Sequence, residues 1–199
     1  MIKKGRPLEF ERQLAVDKAL KLFWRKGYSA VSTDDLCKAM GLNKPSLYNA
    51  FGNKEDLYIS CLIQYNQDYA SKLISIMDKY NNPVMGVEKM LTLTAKQFRD
   101  PNFPSGCLAI TGLVEVIGKS EKIDKHLRQV QKDFISAFEI YFNKNKIKAS
   151  ISHKKLAQYV VGQLYALAIF SKTNHDLYDF KHFIKMVRSA MNEYYQFND

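Results

Sequence analysis

Apolar residues recur every three or four positions along almost the whole chain, and no run alternates as a half-buried strand would. That spacing commits the chain to an all-α fold. No Asn-Gly or Asp-Gly hairpin turn argues otherwise. Ala15, Ala19, Leu22 and Phe23 form one face of a first helix that ends near Gly27. Thr33 opens a short second helix, with Asp34 and Asp35 in its first turn and Leu36 and Met40 on its inner face. Gly41 stops it, as a left-handed residue after a helix does. Asn43 caps a third short helix, with Pro45 in its first turn, running to Phe51.

After Gly52, Asn53 caps a long fourth helix from Lys54 to about Lys79, carrying Tyr58, Leu62, Tyr65, Tyr69, Leu73 and Ile76 on one side. At 1.5 Å per residue it spans about 39 Å. Five more helical segments come after it: one beyond the break at Asn81-Asn82-Pro83 that carries Val87, Met90, Leu91 and Phe98, one over 107–117, one opened by Ser120 that carries apolar residues to Tyr141, and two over 156–170 and 180–195. The expected architecture is therefore about nine helices, three short ones and then a larger bundle. Residues 156–170, LAQYVVGQLYALAIF, are apolar nearly all round, which predicts burial on both faces. One face packs on its own domain and the other on a twin subunit, with Gly162 and Ala166 allowing close approach.

The charge is uneven. The chain of 199 residues has a net charge of +10, and residues 1–54 alone carry 11 Lys/Arg against 5 Asp/Glu. A basic N-terminal quarter points to a polyanionic partner. Three cysteines, at 37, 61 and 107, make no disulfide framework and no zinc ribbon, and no apolar run is long enough for a membrane span. The N-terminal MIKKGRPLEF lacks the apolar stretch of a signal peptide, so the expected location is cytoplasmic. No Ser/His/Asp order, nucleotide-binding glycine loop or HExxH signature occurs, so no enzymatic activity, metal or cofactor is expected.

Two short helices joined by a glycine-containing turn make a helix-turn-helix, with supporting helix 33–40, turn 41–43 and recognition helix 44–51. Leu47, Ala50 and Phe51 are expected to face inward. Lys44, Pro45, Ser46, Tyr48 and Asn49 then face outward, a small, polar and basic set that suits a helix entering the major groove. The N-terminus of the recognition helix offers free N–H groups to phosphate. Thr33, Tyr48 and Lys54 flank it as a phosphate clamp, which sets register rather than sequence. Arg6, in the arm Lys3-Lys4-Gly5-Arg6-Pro7, is placed to lie in the minor groove.

The stretch from Arg6 to Leu57 resembles the TetR family of bacterial one-component regulators. The residues that carry the likeness are Ala19-x-x-Leu22-Phe23-x-x-x-Gly27-Tyr28, Ala39-Met40-Gly41-Leu42, Ser46-Leu47-Tyr48-x-x-Phe51 and Lys54-Glu55-x-Leu57. The Gly-Arg-Pro arm and Ser105-Gly106-Cys107-Leu108-Ala109 look like the AcrR-type branch. The resemblance implies a DNA-binding domain over 1–53 and an effector-binding and dimerisation domain over 54–199. It also implies a homodimeric repressor on double-stranded DNA, released from a palindromic operator by a small molecule. Phe98, Phe103, Cys107, Phe134, Phe138 and Tyr165 are the candidates to line its pocket. Cys107, at a helix N-terminus that lowers a thiol pKa, is also a candidate redox switch. A helical adaptor that binds an acidic protein, without DNA affinity, is the alternative of a different class.

Overall fold

Helix α1 (Leu8–Lys26) buries Val16, Leu20 and Trp24, four residues apart, and beside them Ala19 and Phe23 on the same side. The computed structural model describes residues 8–145, 148–173 and 179–196. Across α1 lie α2 (Thr33–Met40) and α3 (Lys44–Phe51), each eight residues long. Helices that short do not hold themselves together in water. Each is fixed by two buried side chains, Leu36 and Met40 in α2, Leu47 and Phe51 in α3. Burying a side chain of this kind contributes about 1.5–3 kcal/mol.

Caps fix where these helices start. Ser32, not Thr33, is the N-cap of α2: its side chain accepts the Asp35 N–H, and Asp35 accepts the Ser32 N–H in return. Thr33 is the first helical residue. Gly41 ends α2 at φ +73°. The Asn43 side chain accepts the Ser46 N–H at 2.8 Å to begin α3, with Pro45 in the first turn. Asn53 and Asp56 form the reciprocal capping pair of α4 (Lys54–Tyr65).

The fourth helix is not one regular rod. After α4 the chain makes one π-helical turn, Asn66–Ala70, and continues as α5 (Ser71–Met77). A π-turn adds one residue to the turn and rotates the remainder of the helix about its axis. The buried stripe of α4, Tyr58, Leu62 and Tyr65, is consequently continued in α5 by Met77, while Ile76 is only half-buried.

The body consists of α6 (Pro83–Phe98), α7 (Leu108–Val116), α8 (Glu121–Lys144), α9 (His153–Phe170) and α10 (Phe180–Tyr194). A two-residue antiparallel pair, β1 (Lys148–Ala149) with β2 (Tyr195–Gln196), ties the α8–α9 connection to the end of α10. Sequence patterning does not reveal so short a pair, because two residues are too few to show an alternation.

Two apolar cores result. One joins α1, α2 and α3 to α4, α7 and the first half of α8, through Trp24, Leu57, Leu62, Leu108, Ile123 and Leu127. The other fills the body between α5, α6, the second half of α8, α9 and α10. Cys107, just before α7, packs against both. In α9 the residues Leu156, Val160, Leu164 and Leu167 are buried. The opposite face, through Tyr159, Gly162, Ala166 and Ile169, is half-buried or exposed, and the space next to Gly162 is open.

Candidate nucleic-acid interface and interior cavity

The outer face of α3 is wet along its whole length. Lys44, Pro45, Ser46, Tyr48 and Asn49 are all exposed, while Leu47 and Phe51 are buried beneath them. Ala50 is exposed too, contrary to its expected inward position. The anchors of α3 are one turn apart, at i and i+4. In an eight-residue helix lying across α1 the i+3 position falls on the flank.

The N-terminus of α3 offers fewer free donors than its position in the sequence implies. Pro45 has no N–H, the Ser46 N–H goes to Asn43 Oδ1, and the Leu47 N–H goes to the Asn43 carbonyl. What α3 offers to a partner is therefore mostly its side chains. Lys44 Nζ lies 2.9 Å from Asp34 at the start of α2, and that carboxylate holds the lysine above its usual value. Both groups are exposed, and pairs of this kind contribute little to stability.

Thr33 is half-buried at the first residue of α2. Lys54 is half-buried as well, with its ammonium 4.4 Å from the centroid of the Tyr28 ring. A cation over an aromatic face is attracted by the ring quadrupole. Burial pulls the Lys54 pKa down, and the charge of Glu115 on α7 opposes that pull. Beside α3, the Arg12 guanidinium sits 5.0 Å from the Phe51 ring centroid. Arg6 lies outside the described residues.

Deeper in the molecule, a cavity of about 60 Å³ opens between α4, the π-turn, α6, α7, α8 and α9. Its wall includes Tyr65, Asn66, Thr94, Gln97, Phe98, Cys107, Phe134 and Tyr165, and none of the lining residues carries a formal charge. As it stands it holds a few water-sized molecules. Four of the six predicted pocket residues thus come together: Phe98, Cys107, Phe134 and Tyr165. The other two lie elsewhere. Phe103 packs edge-on against Trp24 at 5.0 Å, pinning the loop before α7 to α1. Phe138 is fully buried in the body core, one turn along α8 from Phe134.

Cys107 is the N-cap residue of α7, as expected, but its thiol is not activated. Burial pushes its pKa up, outweighing the Tyr65 hydroxyl and the backbone N–H groups of Ile110 and Ala109 that act the other way. Desolvation of the thiolate wins over the helix terminus. The surface that Cys107 does expose lines the cavity. Periodicity alone could not single out Asn66 and Thr94: Asn66 reaches the wall through the π-turn, and Thr94 reads as an ordinary core-edge residue whose hydroxyl donates to the Met90 carbonyl. Asp179, just before α10, and His182 in its first turn form a local pair, the carboxylate accepting the His182 N–H at 3.1 Å.

Comparison with known proteins agrees with this geometry. Residues 15–61 match the family model described as bacterial regulatory proteins, tetR family. Over 126 residues the chain is 33% identical to the HTH-type transcriptional repressor ComR of Escherichia coli K12, covering 63% of this chain and 60% of ComR. It is likewise 33% identical over 110 residues to the HTH-type transcriptional repressor BdcR of the same strain, covering 55% of each. The chain thus matches less than two thirds of either relative. Among solved structures, a cysteine mutant of the TetR family transcriptional regulator CifR, complexed with 26-base-pair double-strand operator DNA, superposes with a TM-score of 0.81 at 26% identity. That match covers 96% of this chain and all of the CifR chain. The relatives are regulators of transcription and not enzymes. The matched segment holds α2, the turn and α3 in full, so over residues 15–61 the chain is similar to the TetR family of bacterial regulatory proteins.

Proposed function

We propose that this protein is a transcriptional repressor that binds a palindromic operator as a homodimer and is released by a small apolar effector in the interior cavity. The observation that carries the DNA-binding part is the split of α3, with Leu47 and Phe51 buried and five polar, basic or small residues outward. Lys44, Ser46 and Asn49 read base edges. Thr33, Tyr48 and Lys54 contact phosphates, joined by Arg6 from the N-terminal arm in the minor groove. The functional division falls at 53/54, where the reading head gives way to the effector-binding and dimerisation part.

Dimerisation uses the uncovered face of α9, where Tyr159, Gly162, Ala166 and Ile169 present small and apolar groups to a second copy. A two-fold dimer places two recognition helices one helical repeat apart, about 34 Å, which matches a palindromic site. The effector is neutral, because the cavity wall supplies aromatic rings, a threonine and two amides but no charge to balance an ion. Its binding shifts the population between two separations of the recognition helices. Coupling of about 1–3 kcal/mol is typical of such switches. The start of α7 at Ser105-Gly106-Cys107-Leu108-Ala109 supports placement in the AcrR-type branch. No described helix is long and apolar enough to cross a membrane; a repressor acting on operator DNA works in the cytoplasm.

Control by Cys107 oxidation is the weaker reading, since its thiol is held protonated by burial. The test is a fluorescence-anisotropy titration of the duplex flanking the protein's own gene, at several salt concentrations, against a scrambled duplex. Salt-sensitive, sequence-preferring binding supports the proposal. An adaptor for an acidic protein would bind neither duplex with sequence preference.

A further inference from the structure

The turn between α1 and α2, residues 27–29, is held from two sides. From the body, Glu115 on α7 accepts the Ser29 backbone N–H at 3.3 Å. Its carboxylate lies over Gly27, in the space next to that residue's α-carbon, and the φ of +85° at Gly27 is what favours glycine there. From the head, the Lys54 ammonium rests on the ring of Tyr28, between those two residues. The Tyr28 ring in turn packs on Tyr58 of α4 at 4.8 Å. The Tyr58 hydroxyl lies against Gly112, one turn before Glu115 on α7, and is buried with no hydrogen-bond partner among the described residues. A carboxylate of the body and a cation of the head therefore meet at one turn.

The helix that carries Glu115 begins at the cavity. Cys107 and Ala109 line the cavity wall, and Glu115 lies about 12 Å along the axis from Cys107. Any displacement of the start of α7 moves the carboxylate relative to Lys54. The lysine is half-buried, so its charge is costly without an anion nearby. Two anions can act on it: Glu115, whose charge reaches Lys54 across the turn without a direct ion pair, and a DNA phosphate in the complex.

We propose that Glu115 is a positioning residue for DNA binding: across the 27–29 turn it draws Lys54 toward the body, in competition with the phosphate that Lys54 contacts on DNA. This rests on the reading of Lys54 as a phosphate clamp. The carboxylate thereby weakens DNA affinity and makes it responsive to the position of α7.

The test is a double-mutant cycle on the full chain, with Glu115→Gln, Lys54→Met and the pair, read as affinity for the duplex flanking the protein's own gene across a salt series. Glu115→Gln keeps an acceptor for Ser29 and removes the charge. It is expected to tighten binding roughly three- to tenfold and to steepen the salt dependence. In the Lys54→Met background the gain should vanish. An equal gain in both backgrounds, or weaker binding by Glu115→Gln, overturns the proposal. Glu115→Asp, which withdraws the carboxylate by one methylene, should give a smaller gain of the same sign. It decides the matter if the glutamine variant does not fold. If the unmodified protein shows no salt-sensitive affinity for any duplex, the clamp fails, and the role of Glu115 fails with it.

Discussion

Helices α3 and α9 solve opposite problems. The first is eight residues long and buries only Leu47 and Phe51, and its other side is polar and wet. The second is eighteen residues long and buries seven, yet it leaves open a side with no side chain at Gly162 and with Ala166 and Ile169 beyond it. A polar open face next to basic side chains suits a charged duplex. An apolar open face suits a second copy of the same helix. In both helices the partner is read from what remains uncovered once the intramolecular core is satisfied.

The largest test of this contrast sets an anchor against its exposed neighbour. Leu47→Ala should cost about 2–5 kcal/mol of stability by denaturant unfolding, because it empties a fully buried position. Tyr48→Ala, one residue along, should leave stability within about 0.5 kcal/mol while weakening affinity for every duplex. Equal losses of stability would mean that α3 is not two-faced.

On α9 the corresponding change is Gly162→Leu. A leucine fits the monomer, where the space is open, but blocks close approach of two helices. Sedimentation should show dissociation at concentrations where the unmodified protein is dimeric. An intact dimer would move the interface elsewhere.

Smaller effects sharpen the comparison within the head. Alanine at Lys44, Ser46 or Asn49 should change base preference by about 1–3 kcal/mol per lost base contact, measured by binding to a panel of single-substituted duplexes. Equal loss on all duplexes would make them phosphate contacts. Asn43→Ala removes the cap of α3 and should cost about 1 kcal/mol. The smallest effect is acidic. Hydrogen bonds from Ser32 hold the Asp35 carboxylate below its usual value, so its stabilisation is complete above the unfolded value of about 3.9 and is lost as pH falls through the depressed folded one. Thermal unfolding of Asp35→Asn should accordingly show a flatter acid limb than the unmodified protein.

The head is largely legible in the sequence because its signals are local. Asn43, Asn53 and Gly41 act on backbone groups within four residues, and each stands where its spacing says it should. Helix α2 opens at Thr33 as its spacing says, and the reciprocal bond between Ser32 and Asp35 fixes that start. Ala50 departs from its expected side because i+3 and i+4 neighbours part company on a helix with only two anchors.

The cavity is legible only in part. Phe98, Phe134 and Tyr165 stand out as aromatics, but a π-turn leaves no mark in composition, so nothing in the sequence announces that Asn66 reaches the wall or that Met77 replaces Ile76 inward. The spacing places Cys107 correctly at a helix start but wrongly implies an activated thiol, because burial depends on the distant elements that enclose it. Glu115 escapes a sequence reading for the same reason: its partner Ser29 is 86 residues away in sequence, and Lys54 also lies far from it along the chain.

The most direct measurement is the anisotropy titration of the duplex flanking the protein's own gene, with a variant carrying alanine at Lys44, Ser46 and Asn49 beside the unmodified chain. The account predicts affinity that falls steeply with salt, and loss in the variant of the preference over a scrambled duplex. Binding that ignores salt, or a preference that survives removal of all three side chains, would contradict the assignment of α3 as the reading surface.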